Sequence, residues 1–153
     1  MENTFIGQIE ARTDEKGRIF VPASYRKILA GSDSKRIVMR QDLENACLIF
    51  YPEPVWNQKV QTLRSALDEW SPSDALLLMQ FMSAAEYMEP DNQGRILLPK
   101  RILEAIGVTD TVLFVGMLDR FAMWNPTVFR EKCTDGETLG AAIRKRIAGR
   151  MEH

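Results

Sequence analysis

Two arginines have the chemistry and the placement to bind an anionic partner. Arg18 lies in the segment DEKGRIFVP at 14–22, and Arg95 lies at the same place in the segment DNQGRILLP at 91–99. A guanidinium carries a planar fork of N–H donors that fits a phosphate group or the edge of a guanine base. The repeated segment therefore indicates a binding surface, and its arginines are the side chains to test first.

The other shared positions of the segment have structural explanations. Asp14 and Asp91 can accept hydrogen bonds from backbone amides two or three residues further on, as in an Asx turn. Gly17 and Gly94 can take a positive φ without a steric penalty, as a hairpin with a G1 bulge requires. We expect these four residues to form the two turns.

Two interpretations of the arginines stay open, and both can hold at once. Each arginine could brace its own loop through the aspartate four residues before it, or it could point to solvent and contact DNA. Beside Arg18, we expect Lys16 and Arg12 to assist in binding. Positive charge is denser around the first segment than around the second, where only Arg95, Lys100 and Arg101 lie; around the first it comes from Arg12, Lys16, Arg18, Arg26 and Lys27. The first copy is therefore the better candidate for direct DNA contact.

The composition argues against catalysis. The single histidine is His153, so the sequence offers no His-based metal site and no Ser–His or Cys–His nucleophile. No spacing singles out an acid–base pair among the 21 Asp and Glu residues. We predict a protein that is not an enzyme and has no catalytic residues, metal, cofactor or small-molecule substrate.

Bulk properties indicate a globular cytoplasmic chain. Its 153 residues suit one domain or two intertwined halves, with 45% hydrophobic residues and a net charge of −1. The longest apolar run, 75–79, is too short to span a membrane, and residues 1–10 do not resemble a secretory signal. We expect Cys47 and Cys133 to be reduced thiols in the core.

Each half of the chain repeats one order of elements. After each segment, a short amphipathic stretch from a proline to a glycine predicts helices at 22–30 and 99–106, which Gly31 and Gly107 close. Strand-like runs then flank the turns at 41–45 and 117–120, and an aromatic-proline step opens another helix. The pattern predicts an α+β fold, a pseudo-two-fold β-barrel of two βα repeats in which each half completes the other's sheet and helices pack outside.

We divide the chain into a first repeat with its following helix at 1–75, a second repeat at 76–136 and a C-terminal tail at 137–153. A helical stripe follows the first repeat and ends at Ser71-Pro72; it consists of Trp56, Val60, Leu63, Leu67 and Trp70. We expect Ser73-Asp74 to cap a second helix. Its apolar body should be either deeply buried or, as we favour, covered by another subunit.

The tail is expected to be a frayed helix with a basic end. The cations at this end are Arg144, Lys145, Arg146 and Arg150. A solvated surface is the favoured interpretation, and an auxiliary contact with DNA is the alternative.

The two segments resemble those of the MraZ family of bacterial transcriptional regulators over about residues 4–133. Tyr25-Arg26 follows the first segment in the family manner, the SAAE stretch at 83–86 precedes the second, and MWNP at 123–126 resembles the aromatic step after the last strand. The residues that match within the segments are Asp14, Lys16, Gly17, Arg18 and Pro22 in the first, and Asp91, Gly94, Arg95 and Pro99 in the second. The chain lacks the basic residues that some members carry near 5–7 and 78–80.

This resemblance implies an AbrB-like swapped-hairpin fold, the double-split barrel, and a regulator expected to repress transcription. MraZ proteins form rings of identical subunits and bind tandem direct repeats in double-stranded DNA upstream of the division and cell-wall gene cluster. Carried over to this sequence, Arg18 and Arg95 would contact the DNA with help from Lys16, in a cytoplasmic, nucleoid-associated protein. The alternative is an AbrB-like interaction module, such as an antitoxin or a general transition-state regulator. Because both halves lie in one chain, we favour a self-contained regulator.

Overall fold

The computed structural model describes residues 4–31 and 36–151. His153 therefore lies outside the described residues, as do residues 1–3 of the segment that was compared with a secretory signal. The first half consists of β1 Gln8–Arg12, β2 Arg18–Phe20, α1 Ala23–Ala30, β3 Ile37–Gln41, β4 Leu48–Pro52, α2 Glu53–Ala66 and α3 Pro72–Ser83. The second half consists of β5 Ala85–Met88, β6 Arg95–Leu97, α4 Lys100–Ala105, β7 Thr111–Gly116, β8 Phe121–Trp124, α5 Pro126–Lys132 and α6 Gly136–Met151. The predicted α+β class and the doubled order of elements are confirmed.

The strands form two antiparallel sheets whose pairing interlocks the halves. The larger sheet has the order β1-β7-β8-β4-β3-β5, and β2 pairs with β6 in a separate two-stranded ribbon. Four ladders join the halves, namely β1–β7, β3–β5, β4–β8 and β2–β6. If each strand is replaced by its counterpart in the other half, the same strand order results, read from the opposite edge of the sheet. The expectation that each half completes the other's sheet is therefore confirmed.

The closed barrel predicted from the sequence is not formed by the described residues. Strands β1 and β5 are the two edges of the six-stranded sheet, and neither the first nor the second segment folds back as a regular hairpin ladder. The reason lies in the short ribbon strands, each only three residues long. Pro22 and Pro99 follow closely and have no backbone N–H, so they end the ladder, and β2 and β6 pair with each other.

The large sheet separates two apolar layers, because alternate residues of a strand point to opposite faces. On one face, Met39 and Phe50 pack with Ile19 and Ile96 of the ribbon and with Tyr25 of α1. The ring of Tyr25 lies 5.0 Å from that of Phe121. The second layer joins the helices that follow the strands, and its members include Val38, Ile49, Tyr51, Trp56, Phe81 and Phe129. The buried side of the ribbon therefore packs on the first apolar layer, between the ribbon and the large sheet.

The connection between α2 and α3 differs from the predicted one. Helix α2 ends at Ala66, Leu67 is extended, and Trp70 is 85% exposed instead of continuing the helical stripe. Helix α3 is capped by Ser71, whose Oγ accepts a hydrogen bond from the Asp74 N–H at 3.3 Å, so the predicted cap at residues 73–74 was wrong. Proline is favoured in the first turn, where its missing N–H has no intrahelical partner, and this places Pro72 inside the helix.

Smaller differences concern one thiol and the two helix starts. Cys47 is buried, but Cys133 is exposed at the end of α5, so the prediction of two core thiols was wrong for Cys133. Pro22 and Pro99, the predicted first residues of the two helices, are the N-cap residues, so α1 and α4 begin one position later than predicted. Within the described ranges, no helix combines the length and the apolar character needed to cross a bilayer.

Candidate nucleic-acid interface

The two repeated segments fold into matching loops. In the first loop, the Asp14 Oδ1 atom accepts hydrogen bonds from the N–H groups of Lys16 and Arg18, both at 2.9 Å. The Gly17 N–H donates to the Asp14 carbonyl at 3.1 Å, and Gly17 has φ of +84°. These contacts close a tight turn of the kind the aspartate and glycine favour.

The second loop reproduces this geometry. The Asp91 Oδ1 atom accepts hydrogen bonds from the N–H groups of Gln93 and Arg95, both at 2.9 Å. The Gly94 N–H donates to the Asp91 carbonyl at 2.9 Å, and Gly94 has φ of +82°. The repeated sequence therefore corresponds to a repeated three-dimensional turn.

Each loop is also fastened to the strand that follows the other loop. The Leu98 N–H donates to the Gly17 carbonyl at 2.9 Å, and the Val21 N–H donates to the Gly94 carbonyl at 3.0 Å. A Cβ atom at Gly17 would collide with the Leu98 carbonyl oxygen, and one at Gly94 would collide with the Arg26 side chain. Gly17 is thus required by close approach to a backbone carbonyl as well as by φ, whereas Gly94 is required by φ, because the Arg26 side chain could move aside.

Both arginines brace their loops through Nε alone. The Arg18 Nε donates to Asp14 Oδ2 at 2.6 Å, and the Arg95 Nε donates to Asp91 Oδ2 at 2.9 Å. Within residues 4–31 and 36–151, the terminal nitrogens of Arg18 and Arg95 have no hydrogen-bond partner. Bracing and binding are therefore compatible, because the ion pair orients the guanidinium and leaves its outer edge available to a ligand.

The same contacts keep the two aspartates ionised. The Arg18 N–H lowers the pKa of Asp14 below its usual value, and the Arg18 side chain adds to this effect. The Arg95 N–H lowers the pKa of Asp91 in the same way. Carboxylates that receive several N–H donors stay charged at neutral pH, so both ion pairs persist there.

The ribbon places both arginines on one exposed face. Arg18 lies opposite Leu97 and Arg95 lies opposite Phe20, while the intervening isoleucines are buried. Because side chains alternate along a strand, Arg18, Phe20, Arg95 and Leu97 share the outer side, which we call the ribbon face. Phe20 is 53% exposed and Leu97 is 59% exposed, and the Arg95 guanidinium lies 5.9 Å from the Phe20 ring centroid.

The assisting cations predicted from the sequence take different positions. Lys16 is exposed within the first loop, and Arg12 is exposed at the end of β1, where it pairs in register with Thr111. Neither forms an ion pair with a carboxylate in the part of the chain that the structure describes. Lys16 belongs to the loop itself, whereas Arg12 lies beside it on the edge strand.

Arg26 is the residue whose position the sequence did not reveal. Sequence proximity assigned its charge to the first loop, but its Nη1 donates to the Gln93 carbonyl of the second loop at 3.3 Å. The Arg26 Nε is buried and has no hydrogen-bond partner among the described residues. The interlocking of the halves carries α1 to the opposite loop, which no local pattern indicates. The apolar part of the ribbon face, Phe20 and Leu97, was likewise missed, although the alternation of buried isoleucines could have indicated it.

Comparison with known proteins identifies the family. The model of the MraZ protein family, whose description adds a likeness to antitoxins, matches residues 4–78 and 81–135. The chain belongs to the MraZ family. The resemblance inferred from the two segments is therefore confirmed.

Relatives match this MraZ-family chain over nearly its whole length. The transcriptional regulator MraZ of Bacteroides thetaiotaomicron is 38% identical over 141 residues, which cover 92% of this chain and 90% of the relative. That of Bacteroides fragilis is 36% identical over 141 residues and covers 92% and 89%. That of Escherichia fergusonii is 26% identical over 148 residues and covers 97% of each chain. MraZ is a family of transcriptional regulators and not of enzymes, as the composition led us to expect.

Proposed function

We propose that this chain is a DNA-binding transcriptional regulator that recognises tandem direct repeats through its ribbon face. The observation that carries the proposal is the pair of arginines that are braced by Nε and whose terminal nitrogens have no hydrogen-bond partner among the described residues. A two-stranded ribbon is narrow enough to enter the major groove, where arginine can bind the O6 and N7 atoms of guanine. In this arrangement Arg18 and Arg95 contact bases or phosphates, and Lys16 and Arg12 contact the backbone.

The target is the region upstream of the division and cell-wall gene cluster, and the effect on transcription is repression. This part of the proposal rests on membership of the MraZ family and on the regulator names of the relatives. A DNA-binding regulator of this kind acts in the cytoplasm, in association with the nucleoid.

We also propose that identical subunits assemble into a ring. One ribbon face offers few cationic contacts, so a single chain would bind DNA weakly. Subunits arranged head to tail present their loops in the same orientation, and neighbouring subunits then engage neighbouring repeats with added avidity. The four ladders between the halves support an AbrB-like architecture, the double-split barrel, as the frame for this arrangement.

A competing function is that of an AbrB-like interaction module, such as an antitoxin or a general transition-state regulator. The exposed Phe20 and Leu97 on the ribbon face give this alternative a specific observation, since apolar residues favour protein contacts over phosphate contacts.

Footprinting on the DNA upstream of the protein's own gene tests the proposal. Wild-type protein should protect successive copies of a short direct repeat, and a probe with the repeats inverted relative to each other should bind more weakly. Protection of only an inverted repeat would refute the ring-based mechanism. An absence of binding to that DNA at low salt, together with tight binding to a protein partner, would favour the interaction module.

A further inference from the structure

Two helices expose apolar side chains that nothing in the described chain covers. On α3 these residues are Leu76, Leu77, Met79 and Met82, and each is at least 40% exposed. On α6 they are Leu139, Ile143, Ile147 and Met151, and each is at least 49% exposed. The two helices occupy equivalent places in the repeats, because α3 follows α2 as α6 follows α5. Such surfaces in a soluble chain mark interaction sites.

An open groove runs between α2 and α3. One side of α3 is held to the protein by Phe81, whose ring stacks on Trp56 with centroids 5.4 Å apart. The neighbouring side faces α2 across a groove of about 590 Å³. Its apolar floor consists of Val60, Leu67, Ala75, Leu78, Met79 and Met82. We call this feature the α2–α3 groove.

The rim of the α2–α3 groove is acidic. Asp68, Glu69 and Asp74 line it together with one cation, Arg64. Over residues 4–31 and 36–151, none of these three carboxylates forms an ion pair. The groove therefore combines an apolar floor with a net negative charge on its rim.

Helix α6 has the complementary properties. Its exposed apolar residues recur every four positions from Leu139 to Met151 and so lie on one side of the helix. At about 100° per residue, Arg146 and Arg150 lie along one border of this stripe and Arg144 along the other. None of these arginines pairs with a carboxylate in the part of the chain that the structure describes. An apolar stripe bordered by arginines matches an apolar groove bordered by carboxylates.

We propose that α6 of one copy of this chain docks into the α2–α3 groove of a second copy. The stripe would lie on the groove floor and its arginines against the acidic rim, as an amphipathic helix lies in a groove. The occupant is a second copy because α6 is exposed along its length in its own chain and only residues 133–135 connect it to α5. The proposal rests on the ring assembly proposed above and names the surfaces that would build it.

The direction of the contact follows from these surfaces. Donor helix and acceptor groove are different parts of the chain, so after the first contact forms one copy still has a free groove and the other still has a free α6. Such heterologous contacts continue in one direction and close into a ring when the rotation allows it. A contact of two α6 helices with each other would instead stop at a dimer.

Two substitutions separate the acceptor from the donor. Met79→Asp places a charge on the groove floor, and Ile147→Asp places one in the α6 stripe; these side chains are 60% and 56% exposed, so the fold should survive. Each variant should weaken self-association by about 30-fold or more, as expected for a central interface residue. Leu43→Asp, at a side chain that is 71% exposed outside both surfaces, is the matched control and should assemble like the wild type. Circular dichroism and thermal unfolding check that all three variants fold.

Mixing the two defective variants provides the decisive measurement. The Met79→Asp chain keeps an intact α6, and the Ile147→Asp chain keeps an intact groove, so the mixture should form one-to-one pairs and nothing larger. Light scattering after gel filtration and native mass spectrometry report these sizes. The proposal is overturned if either variant alone assembles like the wild type, or if the mixture forms no pairs.

A DNA arm separates this inference from the proposed function. On a probe with one repeat, both variants should bind within about threefold of the wild type, while on tandem repeats they should lose the gain from avidity. A wild-type chain that stays monomeric yet binds the repeats would overturn the docking contact and leave DNA binding intact. Pairing in the mixture without any DNA binding would uphold the contact and refute the proposed function.

Discussion

Replacing Arg18 by alanine should weaken DNA binding and leave the fold intact. The structure shows that the Arg18 side chain contributes one Nε contact to its loop, while the Asp14 Oδ1 contacts and the Gly17 turn do not depend on it. The two terminal nitrogens are the part that remains for DNA. The variant should therefore unfold close to the wild-type temperature and bind promoter DNA less tightly.

The size of the loss in DNA affinity depends on whether the terminal nitrogens of Arg18 contact a phosphate or a base. Loss of one phosphate contact should reduce the slope of log K against log salt by about 0.9 per engaged subunit. Loss of a bidentate contact to guanine should reduce affinity by roughly 10- to 100-fold and relax the base preference at one position. Arg18→Lys separates these cases, because lysine retains the charge for a phosphate and loses the fork for guanine.

Fluorescence anisotropy at several salt concentrations measures both quantities. Arg130→Ala, at an exposed side chain of α5, removes the same charge away from the ribbon face and should leave both affinity and slope unchanged. If Arg18→Ala keeps wild-type affinity and slope at every salt concentration, Arg18 does not contact DNA, and its exposed edge has no role in binding.

Three further predictions concern the loops and the thiols. Gly17→Ala should lower the free energy of unfolding by about 2 kcal/mol or more, because the added Cβ atom would collide with the Leu98 carbonyl oxygen. Gly7→Ala is the control and should lower it less, because Gly7 also has a positive φ, of +79°, but a Cβ atom there would meet no atom within 4 Å. Urea unfolding compares the two variants, and equal losses would rule out the collision at Gly17. Burial raises the pKa of Cys47 to about 12, so near pH 8 a thiol reagent should modify Cys133 in the native protein and Cys47 only after unfolding, as peptide mass mapping will show. Arg26→Ala should speed amide hydrogen exchange in the second loop, with the first loop as internal control, and unchanged exchange would refute the bracing role of this side chain.

Local chemistry explains what could be predicted from the sequence. The first turn depends on Asp14 and Gly17, and the second depends on Asp91 and Gly94. Each pair lies within five residues of the chain, so the residue types and their spacing were sufficient to predict the turns. The same holds for the helices that begin after Pro22 and Pro99. The boundary of α2 was missed because a favourable stripe through Trp70 continued past the point where tertiary packing ends.

The features that could not be predicted from the sequence depend on pairing between distant parts of the chain. Whether β2 pairs with its own neighbour or with β6 depends on how the halves interlock, and both patterns bury the same isoleucines. For the same reason the sequence could not show that β1 and β5 remain the two edges of an open sheet and do not close it into a barrel. The sequence shows that α3 and α6 carry apolar residues, but only the folded structure shows that no other described part of the chain covers them.

The position of Arg26 changes what the doubling implies for DNA binding. Sequence order made the first loop appear more basic, yet the Glu15 carboxylate offsets Lys16 there, and Arg26 lies against the second loop. The equivalent residue on α4 is the apolar Leu103, whose side chain lies 3.8 Å from the place that a Cβ atom of Gly17 would occupy. The pseudo-two-fold arrangement thus adds a cation to the loop that lacks Lys16, and this narrows the difference in positive charge between the two loops. Arg95→Ala should therefore weaken binding to within about threefold of Arg18→Ala, a much smaller difference than the loop sequences alone suggest.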